Sequence, residues 1–171
     1  MMIAFPGPGV GDADHIAADV LMMALANGRS SPISRALVEE RGLAASVGGG
    51  WYTRTQPSPC FVWTELSPEN VQAAEDAVVG LVTALAENPL TAEDLARGKA
   101  LLRSYMVFAS ETAEQQAAYD GYWFIVAEEG YGDTYLDRID AVTVEDLRGA
   151  AAAYLRPEAR ATAVLEPAWV K

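Results

Sequence analysis

Apolar and polar positions recur along this chain with two periods, and each change of period marks an element. Met2–Phe5 is a short apolar run closed by Pro6-Gly7-Pro8-Gly9, which reads as a strand ending in a turn. Asp12 or Asp14 can cap a helix in which Ile16, Val20, Met23 and Ala24 recur at helical spacing up to about Ala26. Asn27-Gly28 ends it with residues that tolerate the left-handed conformation. A second helix starts at Ser30 or Ser31, with Pro32 in its first turn. Ile33, Leu37 and Val38 form its apolar stripe, Glu39, Glu40 and Arg41 lie toward solvent, and Gly42 stops it.

Two strands are expected next, over about Ala44–Tyr52 and Cys60–Leu66. In the second, Phe61, Trp63 and Glu65 share one face, and Val62 and Thr64 the other. Thr53–Pro59, in which Pro57 and Pro59 bar regular pairing, makes the pair an antiparallel hairpin with a long tip. Ser67 as N-cap, Pro68 at the first position and Glu69 in the first turn then open a helix with Val71, Ala74, Val78, Leu81 and Leu85 on one face, stopped at Asn88-Pro89. Thr91 with Asp94, close to a capping box, starts another to about Phe108. Ser110 or Thr112 caps a third over Ala113–Glu128, ended by Gly130. Tyr135–Ile139 reads as one short helix, Thr143 with Asp146 opens the last one to about Leu155, and Arg160–Leu165 is a closing strand bounded by Pro167. The order predicts a single α+β domain over 1–171: two layers, a mostly antiparallel sheet with helices on one face.

Composition narrows the classes. The 171 residues suffice for one core, and 51% hydrophobic with 21% charged residues is ordinary for a soluble globular chain. No apolar run approaches the roughly 18 residues of a membrane span, so no membrane partner is expected. Met1–Val10 lacks the basic start of a signal peptide, and both cytoplasm and periplasm stay open. A net charge of -12 repels phosphate backbones, which argues against nucleic acid as a partner. The acidity reads as plain solubility or as attraction for basic peptides and surfaces.

Candidate chemistry is sparse. Cys60 is the one cysteine and lies in the strand-like PCFVW, where it reads as a small buried hydrophobe without a base to activate it. His15 is the one histidine and reads as a partly exposed residue near a helix start. Gly48-Gly49-Gly50 reads either as a peptide-contact strand or as a bulge or strand end. Tyr119, Tyr122 and Trp123 fall 3 and 4 apart on one helix, a packing or interface pattern.

Element order and local sequence together resemble one repeat unit of the pitrilysin/insulinase zinc peptidases, relatives of the mitochondrial processing peptidase. FPGPG at Phe5–Gly9, GRSSPISRALVEERGLAASV from Gly28, LTAEDLARGKALL at Leu90–Leu102, YLDRIDAVTVEDLRGAAAAYLRP at Tyr135–Pro157 and AVLEP at Ala163–Pro167 carry the likeness. The resemblance implies paired α+β units, one bearing an inverted zinc motif of two His and a Glu. His15 is followed by Ile16, Ala17, Ala18 and Asp19, which does not fit that motif. Active relatives also draw an Arg and a Tyr from the metal-free unit. Alignment through Glu39 and Gly42-Leu43-Ala44 puts those positions on Val38 and Ala45, both aliphatic, and Arg35 and Arg41 are about a turn away.

The resemblance therefore implies a non-catalytic domain, a fragment or subunit of a larger peptidase, that forms part of a peptide-binding chamber. No catalytic residue, metal ligand or cofactor is expected in this chain, and zinc is expected in a homologous partner unit of the same polypeptide or a separate subunit. Gly48, Gly49 and Gly50 are the candidate peptide contacts; a homodimer stays open. The alternative is a structural or assembly module with the same fold and no peptide handling.

Overall fold

The structure, a computed structural model, describes residues 1–166. Among them, four strands build one antiparallel sheet: β1 (Met2–Phe5), β2 (Ser46–Trp51), β3 (Cys60–Glu65) and β4 (Ala161–Ala163), in the spatial order β2-β3-β1-β4. The hairpin predicted from the two apolar runs is β2–β3. β1 inserts beside β3, and β4 closes the sheet on the far side of β1.

Register decides what each strand buries. Ile3 lies opposite Val62, and Phe5 and Trp51 each lie opposite Cys60. Directly opposed residues project from the same face, and all five are buried. Helix α1 (His15–Ala26) lies on that face. It is buried almost all round, with Val20, Leu21 and Leu25 fully enclosed, as expected of a helix apolar on every side. Helices α4 (Ala92–Phe108), α6 (Tyr131–Ala141) and α7 (Val144–Tyr154) pack around α1, while α3 (Val71–Ala84) adds Ala74, Val78 and Val82 to the same core. Helix α5 (Ala113–Val126) buries only Trp123.

Local chemistry sets most boundaries as the sequence predicts. Thr91 with Asp94 and Thr143 with Asp146 form complete capping boxes, and Thr112 forms a third with Gln115. Gly28 and Gly42 have φ of 80° and 58°, left-handed stops that favour glycine, whereas Gly130, at φ 77°, does not end α5, which stops at Val126, but sits at the N-cap of α6.

Five expectations need correction. The capping role given to Asp12 or Asp14 is not met by a side chain: Asp12 Oδ2 instead accepts from the Gly9 N–H at 2.8 Å. The second helix is α-helical only over α2 (Pro32–Ser34); Arg35–Glu40 widens into a π-helical turn, closed where Leu43 and Ala44 both donate to the Leu37 carbonyl. The short helix over Tyr135–Ile139 is α6, which starts four residues earlier, because burial of Tyr131 and Tyr135 overrides the weak propensity of Gly132 and Asp133. The closing strand is three exposed residues, paired with Met2–Ala4 of β1, rather than Arg160–Leu165, because the Arg160 N–H closes a 3-10 turn on the Pro157 carbonyl. Ser67 caps nothing with its side chain, and Pro68–Asn70 is a 3-10 turn leading into α3. Pro167 lies outside the described residues.

Candidate functional site

The sheet face turned away from α1 is where side chains remain accessible. Phe61 and Trp63 of β3 project onto it, as the alternation predicts, with Trp63 39% exposed. Across the ladder, Trp63 opposes Gly48 and Phe61 opposes Gly50. A Cβ at Gly48 would lie 2.6 Å from three atoms of the Trp63 indole, and one at Gly50 would lie 3.3 Å from Phe61 Cζ. Both rings thus lie flat across bare backbone, as aromatic side chains do over cross-strand glycines. Tyr52 stacks on Phe61 with ring centroids 4.5 Å apart. The result is a shallow wall of three aromatic rings on a floor without side chains, flanked by Ser46 and Glu65, whose Oγ and Oε2 are 2.8 Å apart.

The three candidate glycines therefore split. Gly48 and Gly50 belong to the aromatic wall. Gly49 faces the opposite way: a Cβ there would lie 2.7 Å from Ala26 Cβ and 3.3 Å from Met22 Cε, so its role on that side is close helix–sheet packing. Alternation along the strand contains this split, but only the register identifies which face is which.

His15 corrects its sequence reading. It is buried, because α6 packs over the first turn of α1. Its Nδ1 lies 2.6 Å from the Asp12 carbonyl and donates to it, which leaves Nε2 to accept from the Tyr131 hydroxyl. Burial, assisted by the Arg138 guanidinium and opposed by the bond to the Asp12 carbonyl, lowers its pKa from 6.5 and favours the neutral ring. Four residues on, Asp19 is buried and accepts from the Tyr135 hydroxyl. Burial raises the Asp19 carboxyl from 3.8 to about 6, against the lowering effect of that hydrogen bond. Burial first, then the Asp19 charge, keeps the Tyr135 phenol protonated well above 10. Two i,i+4 pairs thus mate in register, His15 with Tyr131 and Asp19 with Tyr135. Trp123 backs them with centroids 4.8 Å from both tyrosine rings. Sequence reasoning missed Asp19; the available signal was a lone carboxylate inside an otherwise apolar helix.

The remaining candidates offer little reactivity. Cys60 is buried, and burial together with the charges of Asp19 and Asp14 pushes its thiol to about 12, far from a working nucleophile. Val38 is half-buried at the π-helical turn and Ala45 is exposed just before β2; neither carries a polar group. Among the described residues, no group of three or more His, Cys, Asp or Glu is placed to hold a metal ion. Both His15 nitrogens are engaged, so the donor set does not fit a hydrolytic zinc, which needs free imidazole nitrogens and an open position. No helix among the described residues is long and apolar enough to cross a membrane.

No curated protein sequence matches the chain. Solved structures match over nearly its full length. A protease from Helicobacter pylori superposes with a TM-score of 0.82 at 19% identity, covering 93% of this chain and 39% of that one. The inactive peptidase domain of a zinc-protease candidate from Bordetella parapertussis gives 0.80 at 20% identity, covering 94% and 88%. A chain of complex III2 from Candida albicans gives 0.75 at 14%, covering 90% and 39%. This chain thus spans about two fifths of the Helicobacter protein and most of the Bordetella domain. At these identities the likeness establishes the shared α+β fold. A family model described as the peptidase M16 inactive domain matches residues 1–102. With more than half its length matched, the chain belongs to the peptidase M16 inactive-domain family.

Proposed function

We propose that this domain is a wall of a peptide-binding chamber, one unit of a larger peptidase whose zinc and catalytic residues sit in a homologous unit. That unit belongs to the same polypeptide or to a separate subunit. The observation that carries the reading is the open sheet face. The Trp63 and Phe61 rings, seated on Gly48 and Gly50, lie low enough with Tyr52 to offer an extended peptide a continuous aromatic surface. Aromatic rings supply contact area at low conformational cost, and the net charge of -12 favours basic peptides. The chain's own contribution is to bind and orient; hydrolysis requires the metal-bearing unit.

The test uses a fluorescently labelled extended basic peptide with the isolated chain. Binding without cleavage is expected, weakened about two- to tenfold by Trp63→Ala, since an aromatic contact is worth about 0.5–1.5 kcal/mol. One tightly bound zinc per chain by elemental analysis, or cleavage by the isolated chain, overturns the proposal.

Absence of peptide binding favours the second reading, a structural or assembly module. The aliphatic Val38 and Ala45, at the positions where active relatives draw an Arg and a Tyr, and the likeness to a complex III2 chain support that reading.

A further inference from the structure

β2 is an outermost strand, and such a strand presents unpaired N–H and C=O groups to any strand that approaches. Its six residues, SVGGGW, carry neither charge nor proline, the usual protections of an edge. The opposite edge is protected by brevity, since β4 has three residues. β2 needs another device, and the structure contains one.

Gly49 lies opposite Val62, and its N–H and C=O both meet the side chain of Asn27. Asn27 Nδ2 donates to the Gly49 carbonyl at 2.8 Å, and the Gly49 N–H donates to Asn27 Oδ1 at 3.4 Å. These two bonds copy the pair that one residue of an added antiparallel strand would make. The same amide donates to the Met22 carbonyl at 3.2 Å, which ties it to the last turn of α1. The Asn27 backbone is itself extended, with φ -111° and ψ 143°, and Gly28 at φ 80° turns the chain away directly afterward. Gly49 has no Cβ to hold α1 off, so Ala26 packs close enough to bring Asn27 to the edge.

We propose that Asn27 is an edge plug: it fills the middle strand-addition position of β2 and prevents a second copy of this chain from pairing β2 to β2. A second copy is the occupant that fits, because two identical antiparallel edges are self-complementary about a two-fold axis. The edge itself is uncharged, and charges elsewhere on the two copies are screened beyond about 8 Å at 0.15 M salt. The inference stands whether or not the domain handles peptides.

The test is sedimentation velocity across a concentration series at 0.15 M salt, with amide hydrogen exchange. Asn27→Ala is expected to tighten self-association at least tenfold relative to the parent chain. Asn27→Asp, which sets a carboxylate on the edge, is expected to match the parent. At low concentration the Gly49 amide should lose at least tenfold protection in Asn27→Ala. An Asn27→Ala protein with native circular dichroism and unchanged sedimentation overturns the proposal, as does Asn27→Asp associating like Asn27→Ala. Should Asn27→Ala fail to fold, the parent chain still decides: a Gly49 amide exchanging at the unprotected rate overturns the plug.

Discussion

Replacing Asp19 with Asn isolates the cost of keeping a carboxylate ionised between α1 and α6. Burial raises its pKa from 3.8 to about 6. The folded state therefore holds the proton where the unfolded chain releases it. The stability this confers is fully present below pH 3.8 and is lost as pH rises through 6. A gap of about two pKa units is worth about 3 kcal/mol in full. About 1.4 kcal/mol of it falls between pH 7.5 and 5. His15 acts in the opposite sense, because its depressed pKa favours the neutral ring and stability falls as pH drops through 6.5. That contribution is common to both proteins and cancels in their difference. In Asp19→Asn the new carboxamide would keep an acceptor for the Tyr135 hydroxyl and leave its own N–H2 unpaired, at a cost of about 1–3 kcal/mol that does not vary with pH. Urea unfolding of both proteins at pH 7.5 and pH 5 is the assay. The parent chain should gain about 1.4 kcal/mol relative to Asp19→Asn on acidification. A difference that stays constant across this window refutes the account of an ionised, desolvated carboxylate.

Two further outcomes follow from the packing. Gly49→Ala should destabilise by about 1–3 kcal/mol in thermal unfolding, since its Cβ would press on Ala26 and the Phe61 carbonyl at 2.7 and 2.8 Å. Gly48→Ala should cost less, since the atoms nearest its Cβ belong to the Trp63 ring, which is partly exposed and able to swing out; equal costs would contradict the split between faces. Cys60, with its thiol near 12 and no exposure, should react with iodoacetamide only as fast as the native state opens, and rapidly in urea. Fast native labelling would contradict that burial.

What the sequence revealed was local. The threonine caps, the glycine stops and the alternation of Cys60–Glu65 each depend on residues within a few positions, so their chemistry can be read directly. The aromatic face of β3 was legible for the same reason. The fate of His15 was not, because its partner Tyr131 is 116 residues away and sequence spacing carries no sign of that contact. The π-helical turn escaped because Ile33, Leu37 and Val38 fit an ordinary helix equally well, and the widening depends on how Leu43 and Ala44 close on Leu37. The glycine run was conspicuous, yet its division between an aromatic floor, a helix seat and a guarded edge required three partners from three elements: Trp63, Ala26 and Asn27.

The paired contacts of His15 and Asp19 with α6 also bear on how this polypeptide is made. On the ribosome α1 emerges long before Tyr131 and Tyr135, and until they arrive the imidazole and the carboxylate stay hydrated. Docking of α6 strips that water from both at once, a cost recovered only when the two phenols arrive together. A nascent chain halted near residue 102 would present a wet, ionisable stripe along its central helix. Completion of the tertiary structure therefore waits for the C-terminal third of synthesis, and truncation products should be open to proteolysis while the finished chain resists it.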